Sequence, residues 1–438
     1  MKIRYYNALI LKDANSAPFT GELWTDGDRI AKILKAGEAG SDAQFDREID
    51  CEGHLLMPGF KDAHTHSPMT FLRSNADDLP LDAWLNTQVF PYEAKLTKDD
   101  IYELTKVAVL EYLTSGITGV MEMYMQPESI ARACDEMGMR LVQVGASNNF
   151  SHTPEEVGAW YESLNGVSPL TSYRLGFHAE YTCSPELLGK IADLAHKYEA
   201  PVFTHVAETK SETEGCIARY GKTPVAFLAQ EGIFDFGGAG YHMVHVTDDD
   251  IAIMKEKGIA AVTNPASNCK LASGIAPLSK FLAAGIPVGI GTDGPASNNC
   301  LDMFREMFLA TALAKILEND AAALPAGSVL NMAITDGARI MGIPDADSLA
   351  EGKLADMILI DMQQPNMQPV SHIANNVVYS GSKLNVVMTV IGGNILYNRI
   401  PGSADAGRFD DRGFSRQLPA IADIYAKAQS IRDRIIGE

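Results

Sequence analysis

Eight short apolar runs, most of them separated by helical patterns, restrict the fold of this 438-residue chain more than any other feature. The runs are "MPGFKDAHTH", "ITGVMEMY", "RLVQVGA", "YRLGFHAE", "PVFTHVAE", "GYHMVHV", "IAAVTNP" and "PVGIGTD". Between them, "TKDDIYELTKVAVLEYLTSG" sets Ile101, Leu104, Ala108, Leu110, Tyr112 and Leu113 along one apolar side. "SPELLGKIADLAHKYEA" opens with a Ser-Pro helix start, and the eighth run is followed by the long helical pattern "LDMFREMFLATALAKILEND". Eight strands alternating with helices predict an α/β fold, a (β/α)8 TIM-type barrel.

The two chain ends have another character. Residues 1–57 read as short strands and turns in "KIRYYNALILK", "GELWTDGDRIAKIL" and "REIDCEG". The region from about 350 reads the same way in "KLADMILIDM", "NVVYSG" and "LNVVMTVIGGNILYN". Chain termini often lie close together, so these ends are expected to pair into one small β-sandwich. The expected division is 1–57 and 350–438 for the sandwich, the latter with a terminal helix in "SRQLPAIADIYAKAQSIRDRIIGE", and 58–349 for the barrel.

Charge and cysteine usage remove some classes of function. Acidic residues outnumber basic ones 56 to 36, for a formal charge of -20. A surface this negative repels a phosphate backbone, which argues against a nucleic-acid polymer as partner. The six cysteines are scattered, with no CxxC pair, as expected of reduced thiols in the cytoplasm. The N-terminus shows no signal-peptide pattern and no window approaches a membrane span. A homo-oligomer is compatible with all of this.

Six of the ten histidines fall at predicted strand ends: His64, His66, His178, His205, His242 and His245. In a barrel the C-terminal strand ends converge on one face, and that face carries the active site. His64 and His66, two apart on a strand, can point to one side. An isolated HxH serves equally well as a hydrogen-bonded polar pair, so the motif alone does not decide. Glu208 follows His205 by three residues. It can handle the protons of a metal's water, or it can cap the helix predicted in "TKSETEGCIARYG". Asp293, in "GIGTDGPASNN", is a turn residue or a carboxylate paired with a cation at the end of a buried strand. Together, three imidazoles and a carboxylate make a zinc-type donor set. His242 can then stabilise developing charge, whereas His245, three residues on, reads as structural.

Four longer motifs in this order, "PGFKDAHTHSPMTFLRSNADDLPLDAWL", "HVAETKSE", "NPASNCKLASGIAP" and "GTDGPASNN", resemble the amidohydrolase superfamily. They are most similar to its deaminases of adenosine-type nucleosides, and the resemblance runs from about residue 50 to about 400. It implies His64, His66, His205 and Asp293 as ligands of one divalent metal, zinc before iron(II) or manganese(II). It implies Glu208 as the proton shuttle to the purine ring, His242 as the group steadying the attacking hydroxide, and Asp293 as the base for the water. Glu93, in "FPYEAKL", is implied as the ribose-binding carboxylate. His178 and Trp84 are implied as further substrate contacts.

Two departures from the family pattern bear on specificity. Thr263 stands where relatives often carry a strand-seven histidine. The loop after strand three, "VGASNNFSHTPEEVGAW", holds no Arg or Lys to meet an amino-acid carboxylate. A buried carboxylate without a cation is disfavoured, so a neutral substrate tail is expected. The reading is a hydrolytic deaminase of adenosine, 5'-deoxyadenosine or 5'-methylthioadenosine. The rivals are an S-adenosylhomocysteine deaminase, a guanine or cytosine deaminase, a triazine-type hydrolase on the same scaffold, and a non-catalytic nucleoside-binding protein. The HxE and PCxxC signature of cytidine-type deaminases is absent.

Overall fold

Each of the eight runs forms a strand in the computed structural model, which describes residues 1–38, 43–75, 77–400 and 406–437. The strands are β1 (Phe60–Thr65), β2 (Ile117–Glu122), β3 (Arg140–Val144), β4 (Thr171–Ala179), β5 (Val202–Val206), β6 (Gly238–His242), β7 (Ile259–Thr263) and β8 (Val288–Ile290). They pair in sequence order, all parallel. Inside, Ala63, Met121, Val142, Phe203, Tyr241 and Val262 share one apolar cluster that also takes in Met341. Burying each large apolar side chain of this kind contributes about 1.5–3 kcal/mol.

The helices begin where the sequence supplies caps. Thr97 accepts a hydrogen bond from the Asp100 amide at the start of Lys98–Thr114, with the Asp100 carboxylate returning the contact. Ser184 caps Pro185–Tyr198, and Asp302 caps Met303–Glu318. The terminal helix, Ile421–Ile436, lies against Lys98–Thr114, held by Arg434 on Asp100 at 2.5 Å and Lys427 on Glu103 at 2.7 Å.

The run "MPGFKDAHTH" divides in two. Leu55–Pro58 belongs to the small β domain and β1 to the barrel, with Gly59 between them. A Cβ at Gly59 would sit 2.3 Å from Thr118 Oγ1, so only glycine lets β1 pass β2 there. The small domain is one mixed sheet in the order Asn394–Asn398, Val386–Ile391, Met357–Ile360, Leu55–Pro58, Lys2–Ile10, Phe19–Asp26, Arg29–Lys35. Arg47–Asp50 pairs the first half of Lys2–Ile10. Both chain ends therefore build it, as expected, though as a single sheet; Ile3, Tyr5, Leu23, Met357 and Val390 share its apolar cluster.

One predicted strand is helical instead. "NVVYSG" forms a helical turn, Asn376–Ser380. Val377 and Val378 are buried, and the turn packs against Met303–Glu318. A β-branched pair satisfies its burial there by tertiary packing, which overrides its strand preference.

The barrel closes between β8 and β1 through residues of the candidate site. The Asp293 amide donates to the His64 carbonyl at 2.9 Å, and Thr65 bridges to Asp293. Gly291 makes this approach feasible, since a Cβ there would lie 2.7 Å from the His64 carbonyl oxygen.

Candidate active site

His64 is inside β1 and His66 follows it; His205 is the penultimate residue of β5, and Asp293 lies just past β8. One ligand atom from each of these four lies within 4.8 Å of the others. The Asp293 Oδ1 is 3.2 Å from His66 Nε2 and 3.5 Å from His64 Nε2. A tetrahedral site with bonds of about 2.1 Å places its ligand atoms ~3.4 Å apart, so the donors stand close to a metal shell.

The surrounding hydrogen bonds aim these groups inward. The His66 Nδ1 meets the Met123 carbonyl at 2.5 Å, and the His205 Nδ1 meets the His178 carbonyl at 2.6 Å. Each ring therefore donates from Nδ1 and offers Nε2 to the cluster. The other Asp293 oxygen accepts from Ser267 at 2.6 Å and Ser297 at 2.7 Å. His64 stacks on Tyr241, ring centroids 3.8 Å apart. Neither of its buried ring nitrogens has a hydrogen-bond partner among the described residues. Buried polar groups are normally satisfied, and a metal ion is the partner this donor set suits. Burial pulls the His64 imidazole down to about 3. Burial acts on His66 in the same direction, but the Asp293 carboxylate outweighs it and lifts that ring to about 9. Asp293 itself, despite burial, is held well below the usual carboxylate range by the two imidazoles.

Glu208 is not a helix cap. Thr209 caps Lys210–Tyr220, and the Glu212 carboxylate accepts the amides of Ala207 at 2.7 Å and Glu208 at 2.8 Å. The Glu208 side chain is thereby left to the pocket, buried, with Oε2 3.8 Å from His242 Nε2. Burial raises its carboxyl above the ordinary value. His242 ends β6 with its Nδ1 2.8 Å from Asn268 Oδ1, so Nδ1 carries the proton and Nε2 faces Glu208. His242 (φ 72) and Met243 (φ 49) both occupy the left-handed region. Such strain costs of order 1–3 kcal/mol per residue and collects at functional positions.

Glu93 and Trp84 lie on short helical turns, Phe90–Glu93 and Leu81–Trp84, between β1 and Lys98–Thr114. The Glu93 Oε1 and the Trp84 Nε1 are buried without a partner among the described residues. Burial pushes the Glu93 carboxyl up to about 7, with Tyr124 and His66 close enough to oppose the shift. His178, on β4, bonds Thr182 Oγ1 at 3.0 Å and stands 5.0 Å, ring to ring, from His205. His245 turns away to the Ser273 carbonyl at 2.7 Å, a structural contact. Thr263 is buried at the end of β7.

The structure brings Glu208, His242, His178 and Glu93 close to the four-residue cluster, whereas Trp84 is buried on its turn with no contact that ties it to the cluster among the described residues; several supporting groups were not singled out. Asn268, Ser267 and Ser297 orient His242 and Asp293. Glu122 accepts the Ser67 amide at 2.8 Å just past the histidine pair, and burial raises it to about 7. Their signal was present in "NPASN" and "GPASNN", but small polar residues in a loop read first as turn formers.

A barrel with three histidines and an aspartate at its C-terminal strand ends defines a metal-dependent hydrolase. The amidohydrolase family model matches residues 55–396, and the chain belongs to that family and is a hydrolase acting on C–N bonds. It is 39% identical over 406 residues to the 5-methylthioadenosine/S-adenosylhomocysteine deaminase of Moorella thermoacetica, covering 89% of this chain and 94% of the relative. A solved adenosine deaminase from Xanthomonas campestris with bound zinc superposes with TM-score 0.91 at 30% identity, over 100% of this chain and 99% of that one. The atrazine chlorohydrolase of Arthrobacter aurescens TC1 shares the fold, with TM-score 0.87 at 21% identity over 98% of this chain and 100% of that one.

Proposed function

We propose that the protein is a hydrolytic deaminase of adenosine-type nucleosides with small or neutral 5' groups, giving the inosine analogue and ammonia. Glu93 carries this reading: a half-buried carboxylate close enough to His66 to feel its charge, with Oε1 buried and without a hydrogen-bond partner among the described residues. A free base has no ribose diol to offer it, whereas a nucleoside can donate two charge-assisted hydrogen bonds.

A divalent ion, proposed as zinc, would be held by His64, His66, His205 and Asp293 and would supply an acidified water. The chain's own groups do the rest. Glu208, kept protonated more readily by its burial, moves a proton to the purine ring nitrogen. Asp293, fixed by two serine hydroxyls, accepts a proton from the water. His242, with its tautomer set by Asn268, presents Nε2 to the oxygen at C6. Hydrolysis at C6 consumes one water and releases ammonia.

The relatives carry both methylthioadenosine and S-adenosylhomocysteine in their names. Here the loop after β3 has no cation, and Phe150 stands at its tip, 84% exposed. Nearby cations are engaged elsewhere: Arg219 on Glu180 at 2.7 Å, and Lys270 on Asp77 and Asn299. These features favour a neutral tail. The test is ammonia release from adenosine, 5'-deoxyadenosine, 5'-methylthioadenosine, S-adenosylhomocysteine, guanine and cytosine, compared as kcat/KM. The neutral nucleosides are expected to lead. S-adenosylhomocysteine clearly in front would refute the neutral tail, and guanine in front would refute the nucleoside reading.

A further inference from the structure

The chain has a formal charge of -20, yet among the charged residues that line one surface cleft cations predominate. It is built by the turn Ser67–Leu72, the helices Lys98–Thr114 and Ile421–Ile436, and the segments around Lys383, Arg399 and Arg412. No member of the metal cluster lines it, nor does Glu93 or Glu208. Its volume is about 740 Å³, within the range of small-molecule sites.

Among the described lining residues, Arg73, Lys383, Arg399, Arg412 and Arg432 are cationic and Glu111 alone is acidic. Glu111 serves two of the cations, at 2.6 Å from Arg73 and 3.3 Å from Lys383. Burial would raise its carboxyl, yet these neighbours bring it below the ordinary value, a sign of positive local potential. Arg432 meets Asp433 at 2.9 Å, outside the lining. Asp302 also stands close enough to Lys383 to interact with its charge. Five cations against these three carboxylates leave an excess of two positive charges.

The rest of the cleft is mostly apolar and aromatic, with Thr70, Thr114 and Gln429 among it. The rings of Tyr397 and Phe414 are 5.4 Å apart in its wall. Tyr425 stands at the rim, 46% exposed, with the Arg412 guanidinium 5.7 Å from its ring centroid. A guanidinium fork matches a phosphate in two-point contact, and an exposed aromatic face accepts a planar ring. A protein partner would need roughly 800 Å² of contact on each side, which suits a broad face better than a cleft.

We propose that this cleft binds a small phosphorylated compound with a planar body, of the mononucleotide class. The phosphate lies among Arg399, Arg412 and Arg432, and the ring lies against Tyr425. The site stands apart from the deaminase reading and does not depend on it.

The test is calorimetry on the metal-loaded, full-length protein with three probes: UMP, inorganic phosphate and uridine. A pyrimidine is chosen so that the adenine site proposed above does not compete. UMP is expected to bind once per chain, phosphate more weakly, and uridine not measurably. The double variant Arg412→Gln/Arg432→Gln should weaken UMP by roughly tenfold or more, the size of losing charge-assisted hydrogen bonds. It should leave thermal stability and ammonia release unchanged. If the double variant does not fold, Arg399→Gln repeats the comparison. Absence of UMP binding, or equal binding by the variant, would overturn the proposal. Phosphate binding as tightly as UMP would show a non-selective anion patch and overturn it too. So would a double variant that changes sedimentation while its UMP titration stays the same, which would make the cleft a contact between copies of the chain.

Discussion

The two ends of the barrel both bury charge, but in opposite ways. At the N-terminal end, Arg140 holds Asp356 in two contacts, 2.5 Å and 3.0 Å, and bonds the Pro169 carbonyl at 3.2 Å. Asp356 also takes the Gly392 amide at 2.8 Å. Lys61, fully buried, donates to the Gly59 carbonyl at 2.7 Å and Thr118 at 2.9 Å. At the C-terminal end, both His64 nitrogens and one oxygen each of Glu93 and Glu122 lack hydrogen-bond partners among the described residues. The paired end fastens the barrel to the small β sheet. The other end holds buried polar atoms that no described residue meets with a hydrogen bond, and leaving such a group unmet costs about 1–3 kcal/mol.

Removing the metal should expose this contrast most strongly. Dialysis against a chelator is expected to take ammonia release to background, with recovery on adding one equivalent of zinc per chain. Elemental analysis should find one divalent ion per chain. Two ions about 3.5–4 Å apart would contradict the single cluster. Thermal stability should also fall on chelation, because an ion that binds only the folded state adds to its stability.

Next in size, Glu208→Gln should lower turnover by roughly 10²–10⁴ while metal content and melting temperature stay unchanged. Near-normal turnover would end the proton-shuttle role, and capping could not replace it, because Thr209 and Glu212 already supply the cap.

The opposite end should give the reverse pattern. Arg140→Met strands the buried Asp356 carboxylate and should cost about 3–5 kcal/mol of stability, with kcat/KM per folded molecule unchanged. The double variant Arg140→Met/Asp356→Leu should recover much of the loss. Denaturant titrations read the stability, and a drop in kcat/KM with no stability change would reverse the division between the two ends.

The barrel was legible because its strands are continuous apolar runs with β-branched residues, and because the helices carry their own caps. The cluster was legible because histidines at strand ends are few and costly to bury. What escaped depends on contacts between segments far apart in the chain. "NVVYSG" reads as a strand until the packing of Val377 and Val378 against Met303–Glu318 is known. Taken alone, Glu208 reads first as a helix cap, and only the position of Glu212 over the Ala207 and Glu208 amides releases it. The bond from His242 to Asn268 spans 26 residues, and neither partner signals it alone.

The smallest expected effect concerns Glu93, and it tests whether the unpaired groups await a substrate. Hydrogen bonds to a charged group are worth about 1.5–3 kcal/mol. Glu93→Gln should therefore lower kcat/KM for adenosine by roughly 10- to 150-fold. If the carboxylate binds the ribose diol, the same change should matter little for 2'-deoxyadenosine, which lacks one hydroxyl, and still less for free adenine. The difference between substrates, rather than the loss itself, carries the argument. A uniform loss across all three would mean that Glu93 supports the turn carrying Trp84, not the sugar. Tyr124 and His66 are the groups near enough to oppose the raised Glu93 carboxyl. A nucleoside diol would add two donors where Glu93 Oε1 has no partner among the described residues, giving this end of the barrel the pairing that Asp356 already has at the other.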